Sequence, residues 1–378
     1  MRAALALAAL LVTLPSAAYA QASDEFTGAT VIFARGASLV RVDPRGRGET
    51  EIAQLAAKVA VRALRTDARG KVLLADLGGK WSWMPLDGSS TSLAELPCGD
   101  GPAQLAEDGA CVLCRAVTGT GSVIVNLGNG KSRPVDVPAP GARLVGIGAD
   151  RRLVWADATG VWSSPPGDAK KKTKVAPEAP LRSFLPSPNG KRAVGVFLDH
   201  VYEGKQTKPA ELLADFALDG EGARRKGIKA GVPLEWSHDG EWVLVQDGSS
   251  ACLMRAMGGQ YKCWKGYTAA SIASDGKWAL VLGNRDGSKK QTKAAPASKK
   301  GRKGKGAAKA DPKPKDPEPS DEAENASAEG GTTDDVAVAP PTGPLALYRA
   351  QLEGAFTTAP ALVARVVDGA AVWVPAAN

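Results

Sequence analysis

The feature that most limits what this chain can fold into is a phrase it repeats. "WSHDGEWVLV" at 236–245 returns as "ASDGKWALVL" at 273–282 and as "SPNGKRAVGV" at 187–196. Each copy is a short polar knot ending in Asx-Gly, followed at once by an apolar run. Asx before Gly suits a tight antiparallel turn, because the Asx side chain caps its own backbone and Gly accepts a positive φ. An unbroken apolar run suits a strand buried on both faces, where strict alternation is not needed.

Looser copies extend the series. They are Asp67-Ala68-Arg69-Gly70, Glu107-Asp108-Gly109, Ala149-Asp150-Arg151 (Arg standing where the Gly would be) and Val367-Asp368-Gly369. Turn residues 69, 108, 150, 189, 239 and 275 are separated by 39, 42, 39, 50 and 36 positions, and a jump of 93 leads to Asp368. Most units carry a second strand-and-Gly mark downstream, such as "WMPLDG" at 83–88 and "LMRAMGG" at 253–259. About forty residues with several short strands is the period of a propeller blade. The expected fold is therefore all-β, a β-propeller of about seven four-stranded blades. Seven knots favour seven blades, and one strand too many at the seam leaves six and eight open. Closure should pair strands within 361–374 with those within 29–43 and so remove the open edge. "EIAQLAAKVAVRALRTD" at 51–67 reads as two strands rather than an Ala-rich helix, because the period requires them.

The Ser-x-Asp-Gly-Lys-Trp-Ala pattern, clearest at 187–196, 236–245 and 273–282, resembles the repeats of TolB-like propellers, the WD40-like periplasmic family. The resemblance runs over nearly the whole mature chain, strongly in those three units. It implies the fold and says little about activity. Only 187–190 has the family's Pro before the Asx-Gly turn, and the helical N-terminal domain of TolB has no counterpart here.

The first twenty residues, "MRAALALAALLVTLPSAAYA", have the charged, apolar and small-residue parts of a secretory signal, with cleavage expected after Ala20. The apolar stretch is too short to span a bilayer, and no later segment of the mature chain is apolar enough. Export to the periplasm or beyond follows, and with it an oxidising compartment for five cysteines. In "ACLMRAMGGQYKCW" the hairpin centre falls between Met257 and Gly258, so Cys252 stands opposite Cys263 and a disulfide is expected. Spacing alone does not place a second bridge, from Cys98 to Cys114 or Cys111. A zinc knuckle at Cys111 and Cys114 lacks a second ligand pair, and the chain has only His200 and His238.

No catalytic, cofactor or metal constellation is legible. Ser237, His238 and Asp239 are adjacent on a tight turn and cannot converge as a triad does. A Gly-x-Ser-x-Gly elbow is missing, and "NLGNGK" at 126–131 is a hairpin turn rather than a phosphate loop. Nine Trp make indole the preferred ring. Trp155, Trp242, Trp278 and Trp373 recur at similar places and should pack between blades. Trp81 and Trp83, two apart on a strand, share a face and are the candidates for exposed aromatic contact.

The jump of 93 holds an insert at 286–342. From Arg285 to Lys315 there are twelve Lys or Arg against two Asp, and from Asp316 to Asp335 eight acids and no base. Like-charge blocks with Pro and Gly predict a disordered loop thrown off one blade. It reads either as a basic hook for an anionic surface or as a polyampholyte folded back on itself. The organisation is then a signal at 1–20, blades over 21–285, the insert at 286–342 and ring-closing strands over 343–378. The leading functional expectation is a non-enzymatic scaffold that binds envelope proteins. A glycan- or small-ligand-binding lectin-like propeller comes second, and a hydrolase or lyase with a loop-built site at the channel mouth third. Nucleic acid is disfavoured as a partner for an exported chain without an interleaved aromatic set.

Overall fold

The computed structural model describes residues 26–56, 59–118, 121–135, 142–148, 151–157, 159–165, 167–168, 170–176, 181–189, 192–203, 206–217, 228–229, 231–256, 261–274, 276–284, 345–351 and 359–376. Residues 1–25 and 285–344, which hold the expected signal and insert, lie outside these.

Among the described residues, 28 strands form seven four-stranded antiparallel blades. Blade 1 contains β1 (Thr30–Arg35), β2 (Ser38–Val42) and β3 (Thr50–Gln54). Blade 2 is β4 (Val61–Thr66), β5 (Val72–Leu77), β6 (Lys80–Pro85) and β7 (Ala94–Glu95). Blade 3 is β8 (Gln104–Leu105), β9 (Cys111–Arg115), β10 (Ser122–Asn126) and β11 (Ser132–Pro134). Blade 4 is β12 (Arg143–Ile147), β13 (Leu153–Asp157), β14 (Gly160–Ser164) and β15 (Thr173–Ala176). Blade 5 is β16 (Leu181–Pro186), β17 (Arg192–Glu203), β18 (Gln206–Ala217) and β19 (Ile228–Lys229). Blade 6 is β20 (Val232–Trp236), β21 (Trp242–Asp247), β22 (Ser250–Arg255) and β23 (Tyr261–Lys265). Blade 7 is β24 (Tyr267–Ile272), β25 (Trp278–Asn284), β26 (Leu345–Gln351) and β27 (Ala361–Val367). The last strand, β28 (Ala371–Val374), returns to head blade 1, with Trp373 opposite Val31.

Residues 51–67 do form two strands, β3 and β4. Ring closure is narrower than expected, because only β28 pairs with the N-terminal strand; β27 is the outer strand of blade 7. That accounts for the surplus strand, and the count is seven. The Val367-Asp368-Gly369 knot is not a seventh copy. It joins the outer β27 to the inner β28, whereas the other knots join first and second strands within a blade. Blade 1 has no knot because its first two strands, β28 and β1, are not consecutive in the chain.

The knot itself is an inter-blade device. The Trp242 N–H donates to Ser237 Oγ at 2.9 Å and the Arg192 N–H to Ser187 Oγ at 3.0 Å, while each Ser hydroxyl donates to its neighbouring Asx, Asp239 or Asn189. Each Asx then leans on the next blade. Asn189 Nδ2 donates to Asp239 O at 3.0 Å and would lie 2.5 Å from a Cβ on Gly240; Asp239 Oδ2 would lie 2.9 Å from one on Gly276. Blade 4 breaks the rule. Arg151 adopts φ 58° where Gly stands elsewhere, and its guanidinium ion-pairs with Asp108 of blade 3. The left-handed conformation costs a non-Gly residue on the order of 1 kcal/mol, which the ion pair offsets in part.

The second strands are the buried ones: Leu73, Leu74, Val243, Leu244, Val245, Leu280 and Val281 are wholly enclosed. At the seam, Phe26 packs on Trp278 and Trp373, with centroids 5.1 and 6.0 Å away, under the Arg45 and Arg349 guanidinia. Of the four Trp expected at equivalent positions, only Trp242 and Trp278 are equivalent, each opening a second strand. Trp155 lies deeper in β13 and Trp373 belongs to a first strand. Their packing role holds, since Trp155, Trp278 and Trp373 are buried in clusters that join adjacent blades. β25 and β26 pair antiparallel, with Asn284 opposite Leu345 at the end of blade 7 away from its knot.

Candidate functional site: the axial channel and its knot-side mouth

The first strands of the blades splay around the propeller axis and cannot pair with one another, so side chains tie them together. One repeat position does this: the residue five before the knot Gly, which is Arg65, Gln104, Gly146, Leu185, Glu235 and Ser271 in blades 2 to 7. Gln104 Oε1 accepts from the Ile147 N–H at 2.9 Å, and its Nε2 donates to Ile147 O at 2.8 Å. Glu235 Oε2 accepts from the Ile272 N–H at 3.0 Å, and Ser271 Oγ from the Trp373 N–H at 3.2 Å. A Cβ on Gly146 would meet Gln104 Oε1 at 2.8 Å, so glycine is what admits that amide. In three blades, then, this position offers an acceptor to the next blade's first strand.

Arg65 departs from the pattern. Arginine has no acceptor, and among the described residues its guanidinium makes no hydrogen bond or ion pair. It faces a lumen of about 330 Å³, walled by Leu105, Ile147, Leu185 and Ile272 and shared with Glu235. Burial pushes Arg65 below its usual pKa, with the fields of Glu235 and Asp76 pulling the other way. Burial likewise pushes the Glu235 carboxyl up to about 7, against the Ile272 N–H, the Ser271 hydroxyl and Arg65, all of which lower it.

Above the lumen, on the knot side, the channel opens into a concavity of about 1130 Å³. Its rim carries both signs of charge: Arg69, Lys71 and Arg151 with Glu107 and Asp108, beside Phe26 and Trp373. His238 Nδ1 of blade 6 lies 3.3 Å from Glu107 Oε1 of blade 3, as far around the ring as two blades can be. Both residues border the rim and the lumen, so the pair bridges the throat between them. Burial works against ionisation of Asp108, yet the Ala110 N–H and Arg151 hold its carboxyl below the usual range. Among the described residues no hydroxyl or thiol is hydrogen-bonded to His238. The sequence singles out Ser237, His238 and Asp239 only as an adjacent turn, and it does not single out Glu107, Arg65 or Glu235. Comparing residues by their distance from the knot Gly would have exposed the last two.

The cysteines pair as Cys252–Cys263, directly opposed on β22 and β23, and Cys98–Cys114. Cys111 is free and buried, and burial pushes its thiol up, which makes it inert. Cys114 is thus unavailable to a zinc knuckle. Asp247 has its donor atom within 4.8 Å of Cys252 and Cys263, but the disulfide removes both thiolates as ligands. The exposed Trp81–Trp83 contact needs correction. The two rings do share a face, but that face is the interface of blades 2 and 3, where Trp81 is 2% exposed and its Nε1 donates to Gly101 O at 2.7 Å. Trp83 is half-buried against the same cluster. The 170–174 lysines are partly occupied: Lys172 and Lys174 cover the Trp162 ring and Lys171 pairs with Asp168. The side chain of His200, residues 224–227 and the insert lie outside the described residues.

No family model matches the sequence, and no curated protein matches it either. Solved structures do. An Agrobacterium tumefaciens protein assigned as TolB is 16% identical, with a TM-score of 0.40, over 62% of this chain and 87% of its own. A Bacteroides fragilis protein assigned as a 6-phosphogluconolactonase is 14% identical, with a TM-score of 0.43, over 70% and 90%. A chain of a nidogen–laminin complex is 12% identical, with a TM-score of 0.43, over 63% and 94%. These are likenesses of fold: seven blades of four strands make the chain a β-propeller, with TolB-like structures among its neighbours. No helix among the described residues is long and apolar enough to cross a membrane.

Proposed function

We propose that this chain is a non-enzymatic, extracytoplasmic docking propeller of the bacterial envelope that binds a partner protein on its knot face. The observation that carries the reading is the 1130 Å³ concavity at the channel mouth, with Arg69, Lys71, Glu107, Asp108 and Arg151 ringed beside Phe26 and Trp373. Mixed charge around a hollow suits a protein surface of matching polarity, because such complementarity steers encounter and fixes register. Two disulfides support work outside the cytoplasm, as does the leader-like segment at 1–20. The Lys-rich insert departs from the opposite end of blade 7 and is assigned a spacer role. A lectin-like reading built on Trp81 and Trp83 loses its platform, since Trp81 is core.

The test is cross-linking with peptide-level mass spectrometry in source-type cells, using the full chain, a 286–342 deletion and a Glu107→Lys, Asp108→Lys double variant. The deletion should keep cross-links to a discrete envelope protein, and the double variant should lose them. Capture that vanishes with the insert alone would make the charged loop the docking element and overturn the reading.

A further inference from the structure

Arg65 is a charge that the architecture does not use. At the same repeat position Gln104, Glu235 and Ser271 each accept a backbone N–H of the following blade, which is what holds the first strands together. An arginine there can accept nothing and donates to nothing among the described residues. It is nonetheless kept deep in the channel, where burial disfavours its charge and only Glu235 and Asp76 act on it at a distance. A partly buried guanidinium that makes no hydrogen bond or ion pair among the described residues does no work in tying the first strands together. A group that anchors no strand and still occupies the lumen is placed for something that enters the lumen.

We infer that the lumen is a binding site for a small monocarboxylate, independent of the protein-docking face, with Arg65 as its anion receptor. The guanidinium presents a fork of N–H donors that matches a carboxylate's two oxygens. The lumen, at about 330 Å³, is at the small end of ligand pockets, and Leu105, Ile147, Leu185 and Ile272 give it an apolar wall for a short hydrocarbon body. Glu235 in the same space decides the ligand's charge. Its carboxyl stays protonated up to about neutral pH and so tolerates one negative charge, while a phosphate dianion would press against the lumen's other acids, Asp67 and Glu107, with the Arg62 and Arg65 guanidinia for relief. The His238–Glu107 contact lies at the throat above and borders both the lumen and the rim.

The experiment is calorimetric titration of the full-length mature protein at pH 6.0 with acetate, butyrate and benzoate, with inorganic phosphate as the contrasting anion. Butyrate or benzoate should bind with a millimolar or tighter Kd, acetate more weakly for want of apolar contact, and phosphate at least tenfold more weakly than the best carboxylate. Arg65→Gln should weaken carboxylate binding at least tenfold. If that variant fails to fold, phenylglyoxal labelling of the unmodified chain decides: benzoate should protect Arg65, and Arg69 at the rim should label at an unchanged rate. Heats absent for all three carboxylates, equal binding by Arg65→Gln, or labelling of Arg65 unaffected by benzoate would overturn the inference.

Discussion

Blade 6 and blade 2 place opposite charges at the same repeat position, and the two are put to different use. Glu235 binds the Ile272 N–H and ties its blade to the next; Arg65, five residues before its own knot Gly, makes no such tie among the described residues. Both share one lumen, yet they do not pair. The rim above is the reverse case, where Arg151 pairs with Asp108 and His238 meets Glu107. Charges that meet across blades serve the ring. The charge that makes no hydrogen bond or ion pair among the described residues is the one whose retention needs another explanation.

Four measurements can break or sharpen this contrast. The largest effect is expected at Glu235. Its folded pKa of about 7 lies above the usual value, so the folded state holds the proton more tightly and stability falls as pH rises from about 4.5 to 7. Glu235→Gln keeps an acceptor for Ile272 and should flatten that slope, stabilising the protein by about 3 kcal/mol at pH 8 in denaturant titrations. An unchanged pH profile would show that Glu235 is not held protonated. Next, Gln104→Ala removes both hydrogen bonds to Ile147 and should cost about 2 kcal/mol; no loss would mean that the ties between first strands are dispensable. Arg65→Gln should go the other way, raising stability by about 1 kcal/mol as the unpartnered charge is removed and the acceptor of blade 3 is reproduced in blade 2. A clear fall would make Arg65 structural. His238→Ala should be the smallest, within about 0.5 kcal/mol, because its exposed contact is solvent-screened; a larger loss would make the throat bridge part of the fold.

Much of the architecture was legible because the repeat writes local chemistry. The Asx-Gly turns, the apolar second strands, the two strands within 51–67 and the Cys252–Cys263 pairing are all set by residues near one another in sequence. What failed to show depended on closure. Asp368-Gly369 imitates a knot but joins different strands, since one strand of blade 1 comes from the C-terminus. Trp81 and Trp83 read as a surface pair because nothing local says that blade 3 covers them. The His238–Glu107 contact joins residues 131 positions apart, and no spacing rule predicts a meeting across the ring. Arg65 and Glu235 were hidden in plain apolar strands, "VRALRT" and "VPLEW", where alignment by knot Gly is the only cue.

The most direct test of the knot face as the working surface places a photo-cross-linking side chain at Arg69 on its rim and, in a second variant, at Lys80 beyond the far end of β5. Both positions are exposed, and they stand at opposite ends of blade 2. The account predicts a discrete envelope-protein adduct from position 69 and none from position 80. An adduct from position 80 alone would put the docking surface on the other face and contradict it.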